Sequence, residues 1–356
     1  MSSQLPAEGS VGSAELVHAF ADQMPTGVTV ADDGRIFVCY PRWGDPVRFT
    51  VAELRDGDEV PYPDADFNVF DADRPAECLV SVQSVVVDPL GRLWLLDTGS
   101  IEFGPTIPNG PKLVGVDLES DAVVQTVGFS AEVVLATTYL NDIRFDMRRG
   151  EAGAAFITDS SLSGPSGIIV VDLASGRSWR KLHDHPSTRA VDGFVAIIEG
   201  RPLAGLSVSA DGIAISADGE RLFYCPLSSR RLYSASVEAL YDEQAGDDAV
   251  AATVEDHGEK GASDGLESDA DGRIYASNYE QGAILIRRPG GELEALVHRA
   301  DLVFVDTLSV AADGHIYYTV NQVHRQAAFQ GGTDMRERPY ALMRTPIEGA
   351  PVRLRP

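Results

Sequence analysis

Residues 263–279 read Ser-Asp-Gly-Leu-Glu-Ser-Asp-Ala-Asp-Gly-Arg-Ile-Tyr-Ala-Ser-Asn-Tyr. The pattern predicts a β-hairpin, with a first strand over 264–269, a tight turn at 270–272 and an alternating second strand over 273–277. Asp-Gly between two apolar runs is a strong hairpin signal, because glycine supplies the positive φ that the turn needs. The same phrase recurs. Aligned on the turn glycine, copies run over 27–38, 83–94, 211–223 and 306–317, and a looser copy joins 141–146 to 155–159.

The marking glycines are Gly34, Gly91, Gly150, Gly219, Gly272 and Gly314, so successive gaps are 57, 59, 69, 53 and 42 residues. Short strands at such a period mean a propeller, with one four-stranded sheet per repeat. The reading is an all-β, six-bladed β-propeller: a flexible tail over 1–13, then one closed domain over 14–356. Residues 15–20 are expected to complete the last blade by pairing with 340–346, since closure removes exposed sheet edges. Residues 56–70, rich in Asp and Pro, read as a loop, as do 98–111. Residues 183–201 break the rhythm, as a lid or an idle insertion. A short helix over 237–243 leads to an acidic loop near 246–248, and 322–338 is a long polar excursion.

The chain of 356 residues carries 54 acids against 29 bases, a formal net charge of −25. Such a surface repels phosphate backbones and anionic lipid, so nucleic acid and membrane partners are disfavoured. The first thirteen residues lack the basic and apolar regions of a secretory signal, and no apolar run is long enough to span a bilayer. Cys39, Cys78 and Cys225 have no paired spacing and read as buried thiols of a reducing compartment. A soluble cytoplasmic protein is the expectation.

Candidate chemistry comes from position. The innermost strand of a propeller blade starts at the channel mouth. Eight residues before each turn glycine stand Thr26, Gln83, Asp211, Asp264 and Asp306, with Asn141 equivalent in the loose copy. Three carboxylates converging on one axis repel one another unless protonated or bridged by a cation. Hard oxygen donors of this kind suit Ca²⁺ best, with Mg²⁺ or Mn²⁺ also served. Equally open is that these polar strand starts cap turns and hold water.

Stretches 81–99, 141–146, 168–177, 263–279 and 321–325 resemble bacterial members of the major royal jelly/yellow protein family. That resemblance covers about residues 25–350 and implies a six-bladed propeller; animal members are linked to dopachrome conversion or bind aromatic amines. The chain is also distantly similar to gluconolactonase/regucalcin propellers, which hold an axial divalent metal. That similarity implies metal ligation by Asn141, Asp211 and Asp264, with Asn141-Asp142-Ile143 matching their Asn-Asp-Gly phrase. Their first-blade Glu has no match, since Pro25-Thr26-Gly27 stands there.

The implied activity is hydrolysis of a lactone by metal-activated water. Asp264 or Asp211 would act as general base, and Asn141 with Gln83 would orient substrate oxygens. The alternative is a non-catalytic or tautomerase-like binder of a small aromatic or amine compound. Asp142, Asp306, His185, Asn278, Tyr279 and Asn321 complete the candidate small-molecule site. The pair His183 and His185 reads as a proton shuttle, a zinc pair or loop hydrogen bonding. His324 and Arg325 belong at the channel mouth or on the surface. Asp269 to Gly272 is a hairpin turn and not a calcium loop, which would need twelve residues and a terminal Glu.

Overall fold

The computed structural model describes residues 5–203 and 205–356. Each repeated phrase forms the two inner strands of an antiparallel four-stranded sheet, and six such sheets make a six-bladed β-propeller. The innermost strands are Val28–Val30, Val82–Val87, Leu140–Asp146, Ala210–Ile215, Leu266–Ser268 and Val305–Val310. Each touches the next around the ring, and the sixth touches the first. Apolar slabs fill the gaps between blades. Trp94, Leu96 and Leu113 of blade two, for example, pack with Ile143, Phe145 and Ile157 of blade three. The turn glycines keep positive φ, as at Gly272 (79°) and Gly314 (80°).

The ring closes as expected. Glu15–Phe20 is the outermost strand of the sixth blade and pairs antiparallel with Tyr340–Pro346, with Glu15 opposite Arg344 and Phe20 opposite Tyr340. Within the segment read as a tail, Gly9 donates its N–H to the His298 carbonyl, so these residues follow the edge of blade five. Residues 1–4 lie outside the described residues.

Two local expectations are corrected and a third is filled in. Residues 56–70 are not all loop: Asp58–Pro61 is the outer strand of blade one, joined to Val51–Arg55 through Asp56 and Gly57, both at positive φ. Charge and proline there mark a protected sheet edge. The break at 183–201 ends in a hairpin of Ala196–Ile198 with Arg201–Leu203. The acidic segment near 246–248 opens a second short helix, Asp247–Ala251, where Asp247 and Asp248 sit in the first turn and face the positive end of the helix dipole.

One end of the axis is crossed by the C-terminal segment. Ala270 donates to the Ala350 carbonyl (2.8 Å), Met147 to Leu354 (3.0 Å), and Arg355 Nε to Pro89 (2.7 Å). The opposite end carries the face loops and the main cavity.

Candidate ligand site on the propeller axis

The innermost strands of blades two, three, four and six lose register at their first residues. The shifts fall between Val82 and Ser84, Leu140 and Ile143, Ala210 and Ile213, and Val305 and Leu308. Such bulges bend a strand and re-aim side chains. Here they fall on Gln83, Asn141-Asp142, Asp211-Gly212 and Asp306-Thr307. Neighbouring inner strands approach so closely that a Cβ at Gly212 would strike the Asp264 carbonyl oxygen, and one at Gly265 the Asp306 carbonyl oxygen. Thr158 Oγ1 donates to the Asp211 carbonyl (2.6 Å) and Thr319 Oγ1 to that of Thr26 (2.6 Å). The ring is therefore held by backbone contact and buried hydroxyls.

Gln83, Asn141, Asp211, Asp264 and Asp306 line one cavity of about 700 Å³. Thr26 does not. It is fully buried and its Oγ1 donates to the Gln83 carbonyl at 3.4 Å. Asp211 accepts from Asn141 Nδ2 at 2.8 Å and from Ser160 Oγ at 2.9 Å, while Asp306 accepts from Asn321 Nδ2 at 2.6 Å. Burial, opposed by hydrogen bonds from Asp264 and Ser160, pushes the Asp211 carboxyl up to about 7. Burial, reinforced by the neighbouring carboxylates, holds Asp264 and Asp306 well above the usual carboxylate range. Three acids thus share the floor, and part of that charge is removed by protons.

The walls are apolar. Trp43, Phe103 and Tyr139 form one side, with ring centroids 5.0 Å apart for the first pair and 4.9 Å for the second. Leu203, Leu206, Val208, Leu227, Phe304 and Phe329 form the other. The guanidinium of Arg336 also lines the cavity, but Asp45 and Asp334 engage it, each at 2.7 Å.

Other candidates lie elsewhere. Asp142 sits below the floor, paired with Arg144 at 3.0 Å and accepting from Ser84 Oγ at 2.7 Å. His185 Nδ1 meets Ser187 Oγ at 2.7 Å, outside the cavity lining, and burial lowers its pKa. His183 Nδ1 accepts from Arg180 instead, so the two histidines have separate partners. Asn278 donates to Gln281, and Tyr279 donates to the Leu227 carbonyl while stacking behind Phe304 at 5.0 Å. Asn321 reaches the site only through Asp306. His324 lines the cavity, with its Nε2 3.0 Å from Glu199. Trp43, Phe103, Tyr139 and Arg336 escaped sequence reasoning. They stand on face loops; Trp43 and Phe103 lie in Gly- and Pro-rich stretches, and nothing local marks Tyr139 or Arg336.

Among the described residues no three His, Cys, Asp or Glu side chains gather as a metal-holding group. Asp211, Asp264 and Asn141 form a different set, two carboxyls and an amide. Its hard oxygens would suit a divalent cation once the two carboxyls give up their protons as it binds and Asn141 turns its amide oxygen inward.

The family model for Major royal jelly protein matches residues 80–350. The yellow proteins of Drosophila yakuba and Drosophila melanogaster are each 30% identical over 247 residues, covering 64% of this chain and 43% of the fly protein. The match thus spans less than half the length of those relatives. Among solved structures, the calcium-binding protein regucalcin of Agrobacterium tumefaciens shares the fold at TM-score 0.58 and 13% identity, covering 95% of this chain and 97% of its own. A gluconolactonase of Xanthomonas campestris does so at TM-score 0.55 and 14% identity, covering 94% and 90%.

Proposed function

The chain belongs to the major royal jelly protein family, and from that premise we propose that its axial cavity binds a small aromatic molecule carrying a positively charged amine. The observation that carries this reading is an acid floor beneath aromatic walls, with no free cationic side chain among the described lining residues. An ammonium group on Asp211, Asp264 and Asp306 would let these buried acids ionise. The ring of the ligand would lie between Trp43, Phe103 and Phe304, replacing water with apolar surface at about 25 cal/mol per Å².

Titration calorimetry with 2-phenylethylamine and its neutral analogue 2-phenylethanol tests this. The amine is expected to bind at least tenfold more tightly, and Asp264→Asn to remove most of that advantage. Equal binding of amine and alcohol sinks the reading.

A second reading rests on Asp211, Asp264 and Asn141 lining one cavity floor, where Asn141 donates to Asp211 at 2.8 Å. These three would hold a divalent cation, Ca²⁺ foremost, with Mg²⁺ or Mn²⁺ as substitutes. When bound, the ion supplies Lewis acidity toward a lactone carbonyl and a water of lowered pKa. Asp264 or Asp211 then accepts a proton, and Gln83 orients a substrate oxygen. Elemental analysis of protein purified without chelator, beside Asp264→Ala, decides the matter. Stoichiometric metal lost in the variant supports it, and no uptake on addition removes it.

A further inference from the structure

Gln83 is an amide, and which end of it faces the cavity decides what it recognises. The answer is set by two aromatic residues behind it. Trp43 Nε1 lies 2.7 Å from the Tyr139 hydroxyl, and that hydroxyl lies 3.0 Å from Gln83 Oε1. An indole N–H can only donate, so the phenol oxygen is its acceptor. The phenol proton then needs an acceptor of its own. Tyr139 is 5% exposed, and among the described residues Gln83 is the one acceptor within reach. Only the amide oxygen can serve. A flipped Gln83 would press its NH₂ against a hydroxyl whose proton then had no protein acceptor, and a buried donor left without a partner is costly.

The amide nitrogen is thereby turned away from the relay. Gln83 Nε2 has no protein partner among the described residues and is not sealed off from the cavity. Gln83 lines the cavity, beside Trp43, Phe103 and Tyr139.

We propose that the Trp43–Tyr139–Gln83 relay fixes Gln83 as a hydrogen-bond donor in the cavity, so that the preferred ligand carries an acceptor oxygen on its aromatic ring. The chemical class is an aryl ether, a phenolic oxygen or a ring carbonyl. Gln83 contacts the ligand; Trp43 and Tyr139 are positioning residues. This deepens the aromatic-amine reading, shares its cavity, and depends on a different wall from the acid floor.

Four probes separate the two ideas: 2-(4-methoxyphenyl)ethylamine and 2-(4-ethylphenyl)ethylamine, with the two corresponding alcohols. Methoxy and ethyl match in size and differ in the acceptor; amine and alcohol differ in the charge. Wild-type protein is expected to prefer methoxy by about tenfold in each pair, in line with one hydrogen bond to a site that otherwise leaves its donor unpaired. Gln83→Leu abolishes the preference. Tyr139→Phe leaves the ring and removes the phenol, so Gln83 can present either end and the ratio falls toward one even where overall affinity survives. Unchanged ratios in Tyr139→Phe overturn the relay. Equal binding of methoxy and ethyl amines overturns the proposal and leaves the amine reading intact. A methoxy preference with no gain from the amine does the reverse. Failure of all four probes to bind overturns both.

Discussion

Two levels of buried acid stand on the same axis, and they are neutralised in different ways. On the lower level Asp142 and Glu267 flank Arg144, whose side chain is 6% exposed. Its Nη1 also donates to the Ile143 carbonyl and its Nη2 to that of Leu266, both at 2.7 Å. On the upper level Asp211, Asp264 and Asp306 have amides and a hydroxyl around them but no guanidinium. Burial is alike on the two levels, while the source of compensating charge is not. Where the fold needs acids for its own cohesion it supplies the cation. Where the acids face the cavity, no guanidinium pairs with them and burial raises their pKa values, so a ligand or ion can supply the missing positive charge.

The most damaging way to break this contrast is to take the cation from the lower level. Arg144→Met strands Asp142 and Glu267 without their partner. It is expected to cost about 3–5 kcal/mol, the usual penalty for an unpaired buried charge. Urea denaturation of the variant measures it. A loss below about 1 kcal/mol would show that the lower level does not depend on its guanidinium.

The upper level should reveal itself through pH. Asp211 has its folded pKa raised from 3.8 to about 7, and Asp264 and Asp306 shift the same way. Between those values the folded protein holds protons that the unfolded chain has released. Stability of the ligand-free protein therefore falls as pH rises from about 4 to about 7. Several degrees of melting temperature are expected over that window, and a saturating amine should restore them at pH 8. A flat profile would mean that the axial carboxyls are already ionised and compensated.

Substitution sharpens the contrast by sign. Asp264→Asn keeps shape and hydrogen-bonding capacity while removing a group whose ionisation is opposed, so it is expected to raise stability at pH 8 by about 1 kcal/mol. Asp142→Asn removes the partner of Arg144 and should lower it by a larger amount. Matching signs from paired denaturation curves would erase the distinction between the levels.

How much of this was legible follows from what kind of contact fixes each part. The turns closed by a positive-φ glycine, four of them Asp-Gly, have few conformational alternatives, so the blades around Gly34, Gly91, Gly219, Gly272 and Gly314 declared themselves. Five of the six ring positions followed, because the chain enters each innermost strand at the mouth, while Thr26 turns instead to the Gln83 carbonyl. Asp142 looked equivalent to Asn141 in the chain, yet the bulge between Leu140 and Ile143 sends it downward to Arg144. The outer strand Asp58–Pro61 hid behind the Asp and Pro that protect an edge. The aromatic wall was invisible for another reason. Trp43, Phe103 and Tyr139 come from three separate segments, and no local pattern records that the fold stacks them.

The smallest effect concerns the rim, where the insertion after blade three meets the loop between the second and third strands of blade six. Glu199, at the tip of the hairpin Ala196–Ile198/Arg201–Leu203, receives Arg325 Nε at 2.9 Å and sits 3.0 Å from His324 Nε2. The Arg325 guanidinium draws its carboxyl down to about 2, so unlike the floor acids it stays charged across the physiological range. Its contribution is present above about pH 4.5 and is lost as pH falls toward 2, opposite in sign to the floor. Its side chain is 41% exposed, and solvent screening limits the pair, so Glu199→Gln is expected to cost less than about 1 kcal/mol. Yet the same hairpin supplies Leu203 to the cavity wall, facing Phe329 and His324. Loosening it should quicken both entry and release of 2-phenylethylamine by a few fold with little change in affinity. Stopped-flow rates identical to the wild type would confine Glu199 to holding the rim, with no part in ligand entry or release.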